Sequence, residues 1–161
     1  MEHNSRDPKS SLWELRKFDR ARRIAAMQMM RDLPLQDPAQ QILMMCIHQA
    51  SRDGNLHSQR ELAKMTQRSP ATVTASLKVL EREGLICRFP DDADQRVNRV
   101  ELTRAGLDLA GECCRRIAVL DEQMIAGLSP EDREHLSRIF QKMADNLSSM
   151  TEENKGAGSI D

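Results

Sequence analysis

The sequence predicts a mainly α-helical fold with one small β-hairpin, and three observations carry that expectation. Aromatic residues make up only 2% of the chain and Tyr is absent, whereas a β-sandwich draws on aromatic and β-branched residues to fill its pleated faces. Helix starts are marked repeatedly by Ser, Thr or Asp followed by Pro, or by an acid three residues on. Only residues 85–102 read as β-prone. At 161 residues, 39% hydrophobic and 30% charged, the chain can build one domain with a proper core but not two comfortable ones.

The elements follow in order. A first helix is expected over about 10–32, behind a flexible N-terminus at 1–9. Asp37-Pro38 reads as an N-cap with Pro at the first helical position, opening a helix over 38–52 in which Ile42, Met45 and Ile47 follow. Ser58-Gln59-Arg60-Glu61 is a capping box for a helix over 58–67, because the Ser oxygen can accept the Glu61 N–H while Glu61 reaches back. Ser69-Pro70 repeats the N-cap and Pro signature for a helix over 70–83, and Gly84 stands where a left-handed residue ends it. The runs Leu85–Phe89 and Val97–Leu102, joined by the polar turn 90–96, make a hairpin with a protruding tip. Thr103 caps a long helix over 104–126, and Ser129-Pro130-Glu131-Asp132 starts a last helix over 130–149 with acids at its positive end. The polar tail from Thr151 to Asp161 is expected to be disordered.

Several function classes drop out. No apolar run approaches the ~20 residues that span a bilayer, and the N-terminus has no apolar secretory core, so a cytoplasmic protein without membrane contact is expected. Cys46, Cys87, Cys113 and Cys114 lack the spacing of a disulfide framework, which suits reduced thiols. There is no Gly-rich phosphate loop, nucleophile elbow, paired-carboxylate helix or HExxH helix, which argues against an enzyme. Cys46-x-His48 points its two side chains about 200° apart on a helix, and His3, His57 and His135 show no ligand spacing, so neither metal nor cofactor is expected. The net charge of −1 hides an uneven distribution: +4 over residues 1–31, +2 over 54–104 and −5 over 105–161. Such a field could orient the molecule on a polyanion.

Helix, tight turn, helix and then a two-stranded hairpin is the plan of a winged helix-turn-helix, whose second helix lies in the major groove of DNA. The expected inner face comprises Leu62 and Met65 with Val73, Leu77 and Leu80, recurring at three- and four-residue steps. Ala71, Thr72, Thr74, Ala75 and Lys78 then face outward, small or hydroxylic residues that permit close approach to bases and phosphates. The helix N-terminus at Ser69 adds a partial positive charge, and Ser58 and Arg68 complete the expected contact set on the two helices. An acidic or apolar outer face would instead favour a protein–protein module, the alternative reading.

These stretches resemble the multiple-antibiotic-resistance regulator (MarR) family. The resemblance rests on Glu61-Leu62-Ala63, on Ser69 through Thr74, on Leu80 through Ile86, and on Asp94-Gln95-Arg96 followed by Val100 through Gly106. It implies a winged helix-turn-helix over about 38–103, flanked by N- and C-terminal dimerisation helices at about 10–32 and 104–149, in a single domain over 10–150. It also implies a homodimer acting on a palindromic duplex as a repressor. Arg96 looks like the residue inserted into the minor groove, with Asp94 as its positioning partner; a narrow minor groove concentrates negative potential. Gln95 stands where the family usually has a second Arg, and Ala75 where a basic residue often faces DNA, so a shallow salt dependence is expected.

Dimerisation is also expected from three apolar stripes that one small reading head cannot bury. They are Leu12, Leu15, Phe18 and Ala25; Leu107, Ala110, Cys114, Ile117 and Met124; and Leu136, Ile139, Phe140, Met143 and Leu147. The resemblance further implies a small apolar or aromatic effector bound between the dimerisation helices and the reading head. Met27, Met30, Met44 and Met45 are the candidates for that pocket, because flexible thioethers suit an adaptable site. Replacing Arg96 with Ala is expected to lower operator affinity while leaving the dimer intact; unchanged binding in a mobility-shift titration would remove Arg96 from the contact set.

Overall fold

The computed structural model describes residues 11–35, 37–53, 57–91 and 97–156. Its elements are α1 (Ser11–Met30), α2 (Pro38–Arg52), β1 (His57–Ser58), α3 (Gln59–Thr66), α4 (Pro70–Arg82), β2 (Ile86–Pro90), β3 (Asn98–Leu102), α5 (Arg104–Met124) and α6 (Pro130–Gly156). The chain divides into two compact units, residues 1–120 and 121–161.

The caps operate as the residue types predict. Asp37 accepts the Ala39 N–H at 2.8 Å, and Pro38 needs no donor at the first position of α2. At α3 the capping box is closed on both sides: Ser58 Oγ accepts the Glu61 N–H, and the Ser58 N–H donates to the Glu61 carboxylate at 2.7 Å. Gln67 follows α3 in the left-handed region (φ 52°), a conformation that turns the chain sharply into α4. In the second unit Ser129 Oγ accepts the Asp132 N–H at 3.1 Å to start α6, which then runs to Gly156, beyond the expected end near 149.

The main core is formed by Leu43, Met44 and Ile47 of α2, Leu62 and Ala63 of α3, Val73, Leu77 and Leu80 of α4, and Ile86, Val100 and Leu102 of the sheet, with Ala110 of α5. The inward faces of α2, α3 and α5 are set by their packing partners. On α2 the buried stripe is Ala39, Leu43, Ile47 and Ala50, which leaves Ile42 exposed and Met45 half-buried. On α3 the inward residues are Leu62 and Ala63, and Met65, about 110° round the helix from their midpoint, is exposed rather than buried. On α5 the buried residues are Gly106, Ala110, Cys113 and Leu120, so Leu107 is exposed and Cys114 is only half-buried.

The sheet has three antiparallel strands in the order β1-β3-β2, with Ile86 opposite Leu102, Arg88 opposite Val100 and His57 opposite Val100 on the other side. β1 was not expected, because two polar residues carry no apolar alternation to mark a strand.

The sheet, α4 and α5 meet at one corner. Gly84, at φ +70°, reverses the chain after α4. Its carbonyl accepts the Thr103 hydroxyl at 2.7 Å, and the same hydroxyl oxygen accepts the Gly106 N–H at 3.1 Å, capping α5. The Thr103 N–H donates to the Leu85 carbonyl at 3.0 Å. Gly106 lies so close to that carbonyl that a Cβ would stand 1.9 Å from its oxygen. This close approach turns Gly106, rather than Leu107, inward.

A second cluster joins Met30 and Leu33 to Cys113, with Met45, Leu109 and Ile117 packed against it. Arg116 on α5 secures it: the guanidinium donates to the Met29 carbonyl at the end of α1, to Asp32 and to Glu112. A cation on the last carbonyls of a helix complements their partial negative charge.

Gly106→Ala should lower the unfolding free energy by about 3 kcal/mol, because a methyl group there collides with backbone rather than a flexible side chain. Urea unfolding with an unchanged m-value but a lower midpoint is the expected result; an unchanged midpoint would mean that the corner is not tightly held.

Candidate nucleic-acid interface

The outward surface of α4 is built by its cap and by the burial of its opposite face. Ser69 Oγ accepts the Thr72 N–H at 3.1 Å and shares a hydrogen bond of 2.8 Å with the Thr72 hydroxyl. Pro70 occupies the first helical position. Burial of Val73, Ser76, Leu77 and Leu80 turns Ala71, Thr72, Ala75 and Lys78 to solvent, and Arg68 and Ser69 are exposed just before them. No acid occurs on α4 before Glu81. A helix start with the positive end of its dipole, short side chains and a cation two turns on can lie close to a polyanion.

Two members of the expected contact set have other duties. Thr74 is half-buried, donates its hydroxyl to the Pro70 carbonyl at 2.7 Å and accepts from the Gln59 amide, so it pins α4 to the start of α3. Ser58 is half-buried and committed to the capping box. Asp94, Gln95 and Arg96 lie outside the described residues.

Sequence reasoning missed the ion pairs that tie the hairpin to the two helices. Arg88 on β2 bonds Glu81 of α4, and that pairing holds the Glu81 carboxyl below the usual carboxylate range. Arg99 on β3 bonds both Asp91 at the end of β2 and Glu61 of α3. The Glu61 carboxyl is held low chiefly by its hydrogen bonds from Ser58, with Arg99 adding to the effect. Glu61 was visible as a capping residue, but no local pattern announces a partner 38 positions away. Among the described residues no ion pair engages Arg68 or Lys78.

The methionines proposed for a pocket do not converge. Met30 and Met45 share the cluster between α1, α2 and α5, Met44 belongs to the main core, and Met27 is 66% exposed. All four cysteines are free. Cys114 lies 3.9 Å from His48 Nδ1, a neighbour that sequence spacing could not supply; burial nevertheless pushes the thiols of Cys46, Cys113 and Cys114 up, favouring the protonated form. Among the described residues no group of three or more His, Cys, Asp or Glu is placed to hold a metal ion, and no helix is long and apolar enough to cross a membrane.

Residues 38–97, which run from α2 into the wing, match the profile of the MarR family. Over that stretch the chain is similar to the MarR family. Two HTH-type transcriptional regulators of Bacillus subtilis (strain 168) are similar to this chain. YdgJ is 29% identical over 93 residues, 58% of this chain and 57% of YdgJ. YwaE is 27% identical over 88 residues, 55% of this chain and 52% of YwaE. The chain thus matches a little over half the length of these relatives.

Solved MarR-like folds extend the likeness to the flanking helices. The Staphylococcus aureus MepR–DNA complex superposes with a TM-score of 0.73 at 24% identity, covering 85% of this chain and 98% of MepR. Bordetella bronchiseptica BpsR, whose structure concerns regulation of DNA binding by 6-hydroxynicotinic acid, superposes with a TM-score of 0.69 at 25% identity, covering 86% of this chain and 96% of BpsR. The mainly helical winged helix-turn-helix expected from the sequence is the fold observed.

Proposed function

We propose that this protein is a MarR-type, sequence-specific double-stranded-DNA-binding transcriptional regulator, a homodimeric repressor that acts in the cytoplasm on a palindromic operator. The observation that carries the reading is the exposed start of α4. Arg68, Ser69, Ala71, Thr72, Ala75 and Lys78 form one acid-free surface beside the hairpin. Short side chains let the helix enter a major groove, the positive start of the helix and Lys78 meet phosphates, and Thr72 reaches a base edge. Asp94 and Arg96 retain the roles that the family resemblance implies at the wing.

Dimerisation is supported by apolar side chains left in solvent on the flanking helices. Phe18 and Ile24 of α1 are 42% and 46% exposed, and Ile139 and Leu147 of α6 are 57% and 63% exposed. A two-fold pairing that covers such faces also spaces two reading heads for two half-sites. The effector reading, a small apolar or aromatic molecule, finds its support in Met30 and Met45, flexible side chains at the junction of α1, α2 and α5. MepR is known with ethidium bound, and BpsR with regulation by 6-hydroxynicotinic acid.

Selection from a randomised duplex library with the full chain should enrich a palindrome with half-site centres about one helical turn apart. On the enriched duplex, Lys78→Ala should weaken binding and reduce the slope of log K against log salt by about 1. Failure to enrich any sequence would overturn the reading in favour of a protein-binding winged helix.

A further inference from the structure

We propose that Arg99, gripped between Asp91 and Glu61, is a positioning residue that sets the angle of the β2–β3 hairpin against the helix-turn-helix, so that wing and α4 meet a duplex as one surface. This rests on the proposed DNA-binding function.

Each member of the triad belongs to a different part of the reading head. Arg99 Nη1 donates to Glu61 Oε2 at 3.1 Å, and Nε donates to Asp91 Oδ2. Glu61 is fixed in turn, because its carboxylate also accepts the Ser58 N–H at 2.7 Å in the capping box of α3. Asp91 is fixed from the other side, since its backbone N–H donates to the Val97 carbonyl at 2.8 Å and closes the base of the wing. The side chains of Asp91 and Arg99 are only 16% and 28% exposed.

The hairpin is held at its base by pairing with β1 and by Ile86, Val100 and Leu102 in the core, and side-chain struts brace it further against the two helices. Arg88–Glu81 supplies a strut to α4, and the triad supplies a second one to α3. Two struts on two helices fix an angle that one cannot. A guanidinium is well shaped for such bracing, since its planar fork presents separate N–H groups to separate carboxylates, whereas an ammonium holds its charge at a point. An ordering contact of this kind raises affinity by reducing what must be immobilised on binding.

The charge sign separates this role from a bland ion pair. Asp91→Asn and Glu61→Gln each remove a negative charge near a site for a polyanion, and Gln still serves a capping box. Simple electrostatics therefore predicts tighter binding from both, and no change from Arg99→Lys. The proposal predicts that all three bind the enriched duplex about fivefold to tenfold more weakly, with thermal midpoints close to wild type. Amide exchange in the free full-length protein should quicken at Asp91 while Leu77 and Leu80 of α4 stay protected.

Equal or tighter binding by Asp91→Asn and Glu61→Gln, or unchanged exchange at Asp91, would overturn the proposal. The exchange measurement needs no DNA, so it still decides the triad's role in holding the hairpin if the wild-type protein binds no duplex. That last outcome would instead defeat the DNA-binding reading.

Discussion

Thr103 and Gly106 set the geometry on which the reading head depends. One hydroxyl donates to the carbonyl of Gly84 and accepts the Gly106 N–H in the first turn of α5, while the Thr103 N–H holds the Leu85 carbonyl. The corner therefore fastens the end of α4, the start of β2, the end of β3 and the start of α5 at one point. Gly106 permits it, because α5 must approach backbone more closely than any side chain allows. If α5 were lifted by one methyl group, Ala110 would leave the core and the sheet would lose its support beneath Leu102. The Leu-Thr-x-x-Gly pattern at 102–106 thus has a mechanical meaning apart from any resemblance.

The electrostatics of the head are organised by pairing more than by excess. Its +2 balance over residues 54–104 looks weak for a protein proposed to bind a polyanion. Arg88 and Arg99 are spent on Glu81, Asp91 and Glu61, and they act as struts for the hairpin. Arg68 and Lys78 remain on the exposed side of α4, where a groove-bound helix would use them. Among the described acids, Glu61, Glu81 and Asp91 therefore hold basic side chains in place. A net charge cannot express that division of labour.

Helix identity was legible in the sequence because caps are local chemistry. Asp37, Ser58, Ser69, Thr103 and Ser129 each bond an amide within three residues, so the pattern and its consequence lie side by side in the chain. Facing direction was less legible. Met65, Ile42 and Leu107 lie at the edges of their stripes, and only the packing partner decides whether an edge residue is covered. On α4, Ala71, Thr72, Ala75 and Lys78 are exposed, as the apolar spacing predicts, whereas Thr74 turns inward to Gln59 across the helix pair. The triad of Glu61, Asp91 and Arg99, and the approach of His48 to Cys114, depend on contacts between residues far apart in sequence. No periodicity encodes such pairs.

The central claim is that α4 and the hairpin form one duplex-reading surface. Hydrogen–deuterium exchange of the full chain, compared with and without the enriched duplex, tests it most directly. Slowed exchange in the first turns of α4 and in β2–β3 together is the predicted result. Duplex binding that leaves both α4 and the hairpin unprotected would contradict the account.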